Sequence, residues 1–248
     1  MIKIHYRNLH GTTNLPWQAA FRKLGELSLG DISSDGFPKE IDHLHLGGSC
    51  KGTALTVDKV KQVQADTGCD VSVFFGDPVP DRFQFHHALL DADIPNLKIY
   101  SAALYGTPAW RPEVTWVLHP TDKNIFRLVD HRENDTVLFV GQLTPYRQEI
   151  VEKLNTAGIK VEVVTDKYRS KLVELSKDYS ISIGIPYDGE RPQIRYCSSR
   201  LPNALAMGLI YIEAGFDLRG VFEPNELMQW HSVDNLIDKI RHCQNNPA

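Results

Sequence analysis

The stretch 197–215, CSSRLPNALAMGLIYIEAG, restricts this chain more than any other. A short helical run ends at Gly208, and the apolar run 209–212 follows at once, so a helix must turn directly into a buried strand. Ser198 or Ser199 suits the N-cap, where a hydroxyl accepts from a free amide of the first turn. Pro202 then falls inside that turn, where no backbone donor is lost. Leu201, Leu205 and Gly208 share one helix face, and Gly208 fits the C′ position. A helix start carrying free amides, a positive dipole end and Arg200 is a ready phosphate site. An ordinary αβ unit with a solvated arginine has the same pattern.

The rest of the chain repeats the alternation. Residues 1–6 alternate as a strand, the polar stretch 8–14 follows, and PWQAAFRKLGEL from Pro16 puts Trp17, Phe21 and Leu24 on one helix face. Strands are expected at 41–46, 71–75, 97–100 and 114–118, with a helix over 57–63. In the second half, strands are expected at 136–141, 161–164 and 181–186. Helices are expected at 149–157, 171–176 and 232–242, the last with Ser232 as N-cap. Such alternation predicts α/β architecture, with parallel sheets covered by helices on both faces. The polar, strand-breaking stretch between the halves, HPTD and then DHREND, marks a domain boundary; we divide the chain into 1–128 and 129–248.

Ligands of parallel sheets sit at the strands' carboxyl ends, where His10, Gly47 and Asp77 are expected. His10 could equally decorate a loop, and Asp77 before Pro78 is a common turn former. His43 and His45 share a strand face, but a His-x-His pair without a third ligand is weak evidence for metal. Asp91-Ala92-Asp93 has the D-x-D pattern that holds divalent metal in one class of sugar transferases, yet it follows FQFHHALL, which reads as a helix. No metal is therefore expected.

With 248 residues the chain can bury a real core, and its net charge of −4 argues against a broad basic surface for nucleic acid, though not a local one. Cys50, Cys69, Cys197 and Cys243 lack metal-ligand spacing and read as buried or free thiols in a reducing compartment. The opening MIKIHYRN has no signal-peptide core, and no apolar run reaches the ~18 residues that span a bilayer. A cytoplasmic protein is expected, with nothing pointing to an oligomeric state.

Three segments, in order, resemble GT-B glycosyltransferases of the group-1 and spore-maturation-like branch. They are LHPTDKNIF as the interdomain connector, VLFVGQLTPYR as the opening of the C-terminal domain, and SSRLPNALAMG with LIYIEAG and VFEPNEL as the donor helix and its sequel. The match runs over roughly 114–243, and the opening HYRNLHGTTN is similar to small phage-encoded transferases. Asn203 stands where the family usually carries a ribose-holding glutamate; it can donate and accept but supplies no charge.

The resemblance implies two Rossmann-like domains facing a cleft, the C-terminal one binding a nucleotide sugar, UDP-linked, as co-substrate. Arg147 and Arg200, with the amides of Ser198 and Ser199, would neutralise the departing diphosphate without metal. Arg195 is a further cation, Tyr187 would line the nucleobase, and Asn203 would face the ribose. On the acceptor side stand Arg7, Gly11 and Thr12, with His10 or Asp77 as general base. The acceptor would be a carbohydrate or, with Lys3, Arg7, Arg22 and Lys23 near the N-terminal cleft, a hydroxymethylated base of phage DNA. A module that binds nucleotide sugars without turnover, and a nucleotide-sugar epimerase, are the other classes.

Overall fold

The computed structural model describes residues 1–7, 14–30, 38–47, 56–76, 80–102, 111–130, 134–166, 169–187, 198–216, 221–223 and 225–246. The chain divides into two compact units, Met1–Pro120 and Thr121–Ala248. Contacts on either side explain that position: His119 Nε2 donates to the Gly76 carbonyl at 2.8 Å, whereas Thr121 donates its hydroxyl to Asn203 at 2.5 Å.

The first unit runs β1 (Ile2–Arg7), α1 (Asn14–Leu24), β2 (Gly25–Leu29), β3 (His43–Gly47), α2 (Val57–Thr67), β4 (Asp70–Phe75), α3 (Pro80–Asp91), β5 (Leu97–Ser101) and β6 (Val114–Trp116). Its six strands lie in the order β2-β1-β3-β4-β5-β6, and every pair is parallel. Strand alternation sends Leu44, Leu46, Val71, Val73 and Phe75 into one core with Val60, Val63 and Leu89 of the covering helices. The opposite face carries Tyr6, His43, His45 and Phe74, packed against Trp17 and Phe21 of α1.

The second unit runs β7 (Val137–Val140), α4 (Pro145–Thr156), β8 (Val161–Val164), α5 (Ser170–Ser176), β9 (Ile181–Ile183), α6 (Arg200–Met207), β10 (Ile210–Ala214), β11 (Met228–Trp230) and α7 (Val233–Asn245). Its five strands lie in the order β11-β10-β9-β7-β8, again all parallel. Phe139, Ile183 and Ile212 share a core with Ile150 and Leu154 of α4 and Leu236 and Ile240 of α7. In both sheets the second strand lies on one side of the first and the third on the other. Each sheet therefore has a switch point, between β1 and β3 and between β7 and β9, where neighbouring connections diverge and leave a crevice. None of the described helices is long and apolar enough to cross a membrane.

Several local expectations need correction. The helix expected over 16–27 instead runs Asn14–Leu24: Gly25 lies directly against the Ile2 carbonyl, where a Cβ would clash, and begins edge strand β2. Helix α4 starts at Pro145 rather than near Glu149, since Thr144 caps the Arg147 amide and proline suits the first turn. In α6 the buried stripe is Leu201, Ala204 and Met207, leaving Leu205 37% exposed. Gly208 does close that helix, at φ 83°, and Ser232 caps the last one.

Candidate functional site

The crevice between β7 and β9 is filled by two arginines. Because α4 begins at Pro145, Arg147 sits in its first turn and reaches back over the strand ends. Its Nε donates to the Ile185 and Pro186 carbonyls at 3.1 and 3.0 Å, Nη2 to Ile185 at 3.0 Å, and Nη1 to Gln142 at 2.8 Å. It thereby spans the connection after β7 and the one after β9. Arg200 arrives from α6 and donates from Nη1 to the Val140 carbonyl at 3.1 Å and from Nε to the Ser198 hydroxyl at 3.1 Å.

Both guanidinium carbons lie near the Phe139 ring, at 5.3 and 5.7 Å from its centroid, within cation–π range. Gly141, at φ 151°, is where they meet: a Cβ there would stand 2.7 Å from Arg200 Nη1 and 3.4 Å from Arg147 Nη1. Two like charges held this close repel, and the carbonyl oxygens hold the pair in place. The result is a converging guanidinium pair at a sheet's carboxyl end.

A buried carboxyl lies beside that pair: both guanidinium groups donate to the Ile185 carbonyl, next to Gly184, against which Glu213 packs. Glu213, 5% exposed on β10, accepts the Ala214 amide at Oε1 (2.9 Å), and its Oε2 is buried without a hydrogen-bond partner. Gly184 makes the space, since a Cβ there would overlap Glu213 Oε1 and stand 2.8 Å from the Tyr211 hydroxyl oxygen. Burial pushes the Glu213 carboxyl up to about 7, against the pull of the Arg200 charge, the Ala214 amide, the Tyr211 hydroxyl and the Arg147 charge. The sequence reading missed this residue. Its signal was a glutamate two positions after Tyr211 inside an otherwise apolar strand, LIYIEAG.

The other donor-side candidates fall as follows. Tyr187 stacks toward Arg147, 5.3 Å from ring centroid to guanidinium carbon, and remains 58% exposed, its carbonyl taking the Thr144 hydroxyl at 2.9 Å. Ser199 occupies the N-cap position of α6 but makes no side-chain cap; the Ser198 hydroxyl instead accepts from the Arg200 amide at 3.3 Å as well as from its guanidinium. The expected capping serine is thus an orienting partner of Arg200. Asn203 lies one turn along α6, its carbonyl oxygen taken by Thr121. Arg195 lies outside the described residues, as do His10, Gly11, Thr12 and Asp77. Arg7, at the end of β1, is 1% exposed and is no surface cation, whereas Arg22 and Lys23 are exposed at the end of α1.

The histidine pair has a different explanation from metal binding. The Ser72 hydroxyl lies 2.7 Å from His43 Nε2 and 2.7 Å from His45 Nδ1, so its one proton goes to one ring while the other ring donates back. Burial lowers both, His45 to about 3, so these are neutral core groups. Asp91 pairs with Arg111 at 2.6 Å at the end of α3. Among the described residues no group of three or more His, Cys, Asp or Glu side chains could hold a metal ion. Cys69 and Cys243 are buried free thiols, and Cys50 and Cys197 lie outside the described residues.

Solved structures with the same architecture exist. One is an alpha-glucosyltransferase in complex with UDP-glucose and DNA containing an abasic site. It superposes with a TM-score of 0.60 over 98% of this chain and 90% of its own, at 12% identity. Another is an alpha-glucosyltransferase in complex with UDP and a 13-mer DNA containing a central A:G mismatch. Its TM-score is 0.61, covering 99% of this chain and 91% of that one, at 11% identity. The chain has the GT-B fold. No protein-family model matches the sequence, nor does any curated protein. At such identity the likeness is one of fold, and in GT-B terms the arginine pair belongs to the second Rossmann-like unit.

Proposed function

We propose that this chain is a glycosyltransferase that moves a sugar from a UDP-linked donor to a hydroxymethylated base in DNA. The carrying observation is the pair of guanidinium groups converging on Gly141 at the switch point of the second sheet. Support for the donor and the acceptor comes from the two structural neighbours, which hold UDP or UDP-glucose together with DNA.

In the reaction, the bond from the sugar's anomeric carbon to the β-phosphate oxygen breaks and one to the acceptor's hydroxyl oxygen forms. Negative charge collects on the leaving diphosphate, where fixed guanidinium donors stabilise it. Arg147 and Arg200 fill that role, with Ser198 holding Arg200, and Ser199 and Arg195 on the segment entering α6. The exposed Tyr187 ring offers a stacking face to uracil, and Asn203 offers its amide nitrogen to the ribose. His10 or Asp77 takes the acceptor's proton, and Gly11 and Thr12, which follow His10 in the sequence, serve the acceptor side. No divalent metal is needed, because arginine charge does its work. DNA and nucleotide sugars meet in the cytoplasm, the compartment this reading requires.

The direct test incubates the protein and UDP-sugars with duplex DNA containing hydroxymethylcytosine or hydroxymethyluracil, beside unmodified duplex, and weighs the digested nucleosides. A sugar mass on the hydroxymethylated base alone is expected, changed only a few-fold by excess chelator. Loss with chelator and recovery with manganese would overturn metal independence. Transfer to a free carbohydrate but never to DNA would overturn the acceptor, and hydrolysis or isomerisation of donor alone would favour an epimerase.

A second prediction isolates the donor site. A hydrogen bond to a charged group contributes about 1.5–3 kcal/mol. Arg200→Ala should weaken UDP binding about tenfold or more by calorimetry with an unchanged circular dichroism spectrum. Unaltered affinity would remove Arg200 from the diphosphate site.

A further inference from the structure

We infer that Glu213 is an exchangeable counter-ion of the arginine pair, and that the diphosphate displaces its charge, so donor binding takes up one proton at this carboxyl. The inference rests on the donor reading of the arginine site. The geometry behind it is independent of that reading. Glu213 projects from β10 on the same side as Tyr211, into space that Gly184 leaves open, with one oxygen held by the Ala214 amide and the other buried without a partner. A permanently charged carboxylate would keep several donors, and a permanently neutral one would hand its proton to an acceptor. Glu213 has only the Ala214 amide and the Tyr211 hydroxyl as hydrogen-bond donors to its charged form and no acceptor for a proton on Oε2, as suits a group that alternates between the two states.

The charges around it dictate the direction. Facing Glu213 are Arg200 from α6, Arg147 from α4 and the Tyr211 phenol on its own strand. Gln229 on β11 lies opposite it in register and is neutral, as are Ser182 and Gly184 on the β9 side. His231 packs against Gly215 at the strand's end. Without ligand, the two guanidinium groups favour the ionised carboxylate, while burial opposes it and brings it to the edge of ionisation at neutral pH. A diphosphate delivers negative charge to those guanidinium groups. Two anions then share one cationic centre, and the buried one, lacking solvent, is the one that protonates. Its acidity therefore falls in the complex, and linkage requires donor affinity to fall tenfold per pH unit above the free carboxyl's range and to level off below it.

UDP-glucose is the better probe, because both its phosphates are esterified and neither titrates near neutral pH. Calorimetry at pH 7.5 in buffers of different ionisation enthalpy is expected to give net uptake of more than half a proton per site. In Glu213→Gln, which keeps the shape and stays neutral, uptake should drop to near zero and the pH slope should flatten. The same comparison subtracts any contribution from His231. If the glutamine variant fails to fold, the buffer series on the unaltered protein still decides: no uptake and a flat affinity between pH 6 and 9 would overturn the linkage. Uptake that persists in a folded Glu213→Gln would assign the proton elsewhere and overturn it too. If neither UDP-glucose nor UDP binds at any pH, the donor reading itself fails, a result distinct from binding without uptake.

Discussion

Arg147→Ala is expected to unfold the second unit at a much lower temperature even before any ligand is added. The side chain is 4% exposed, and its removal strips donors from the carbonyls of Gln142, Ile185 and Pro186. An unsatisfied buried acceptor costs about 1–3 kcal/mol, but relief of the repulsion from Arg200 offsets part of that. A net loss of about 2–4 kcal/mol, or on the order of 10 °C in Tm, follows for a domain of this size. UDP affinity should fall at least tenfold in the same variant, measured below its transition. Arg147→Lys keeps a charge but replaces the fork by one ammonium, so less than half of the stability should return. An unchanged Tm in ligand-free Arg147→Ala would mean that the side chain is a ligand contact only and ties no loops together.

That double role was hidden in the sequence, although its ingredients were visible. The apolar runs VLFV and ISIGI announce buried parallel strands, and SSRLPNALAMG announces a helix with a glycine stop; those elements form, although the strand of ISIGI ends at Ile183. Their placement follows from short-range chemistry. Edge strands β2 and β11 were not legible, because GELSL continues the helical spacing of Trp17, Phe21 and Leu24, and MQW is too short for a period. Only the Ile2 carbonyl, a partner distant in sequence, turns Gly25 from helix to strand.

The site divides in the same way. Arg147 and Arg200 could be singled out from their places near helix starts, but their convergence depends on which strands are neighbours, a property of topology. Thr144-Pro145 was a readable helix start that would have put Arg147 in the first turn. Arg7 was expected among acceptor-side cations, and burial at the end of β1 was not foreseeable from a basic residue closing an alternating strand. The Ser72 bridge between His43 and His45 is likewise a register effect: β3 pairs with β4 so that His45 stands opposite Ser72.

Gly184 provides the sharpest test of the packing around the arginine centre. Its amide donates to the Ile212 carbonyl at 2.9 Å and its carbonyl accepts the Trp230 indole at 2.9 Å, so the backbone is pinned on both sides and cannot retreat. A methyl group there would overlap the Glu213 carboxyl and press on the Tyr211 hydroxyl oxygen. Overpacking of a well-filled interior costs about 1–3 kcal/mol. Gly184→Ala should sit at the upper end of that range, because the displaced group is a buried carboxyl whose one amide partner, Ala214, would be lost as well. The expected Tm falls by several degrees, and proton uptake on donor binding changes with it, since Glu213 moves relative to the arginines. A double-mutant cycle separates collision from any intrinsic preference for glycine: in a Glu213→Ala background, where the carboxyl is gone, the same Gly184→Ala change should cost at least about 1 kcal/mol less. Equal costs in the two backgrounds would show that the carboxyl does not occupy the space glycine leaves, and would remove the geometric basis for treating Glu213 as the partner of the arginine pair.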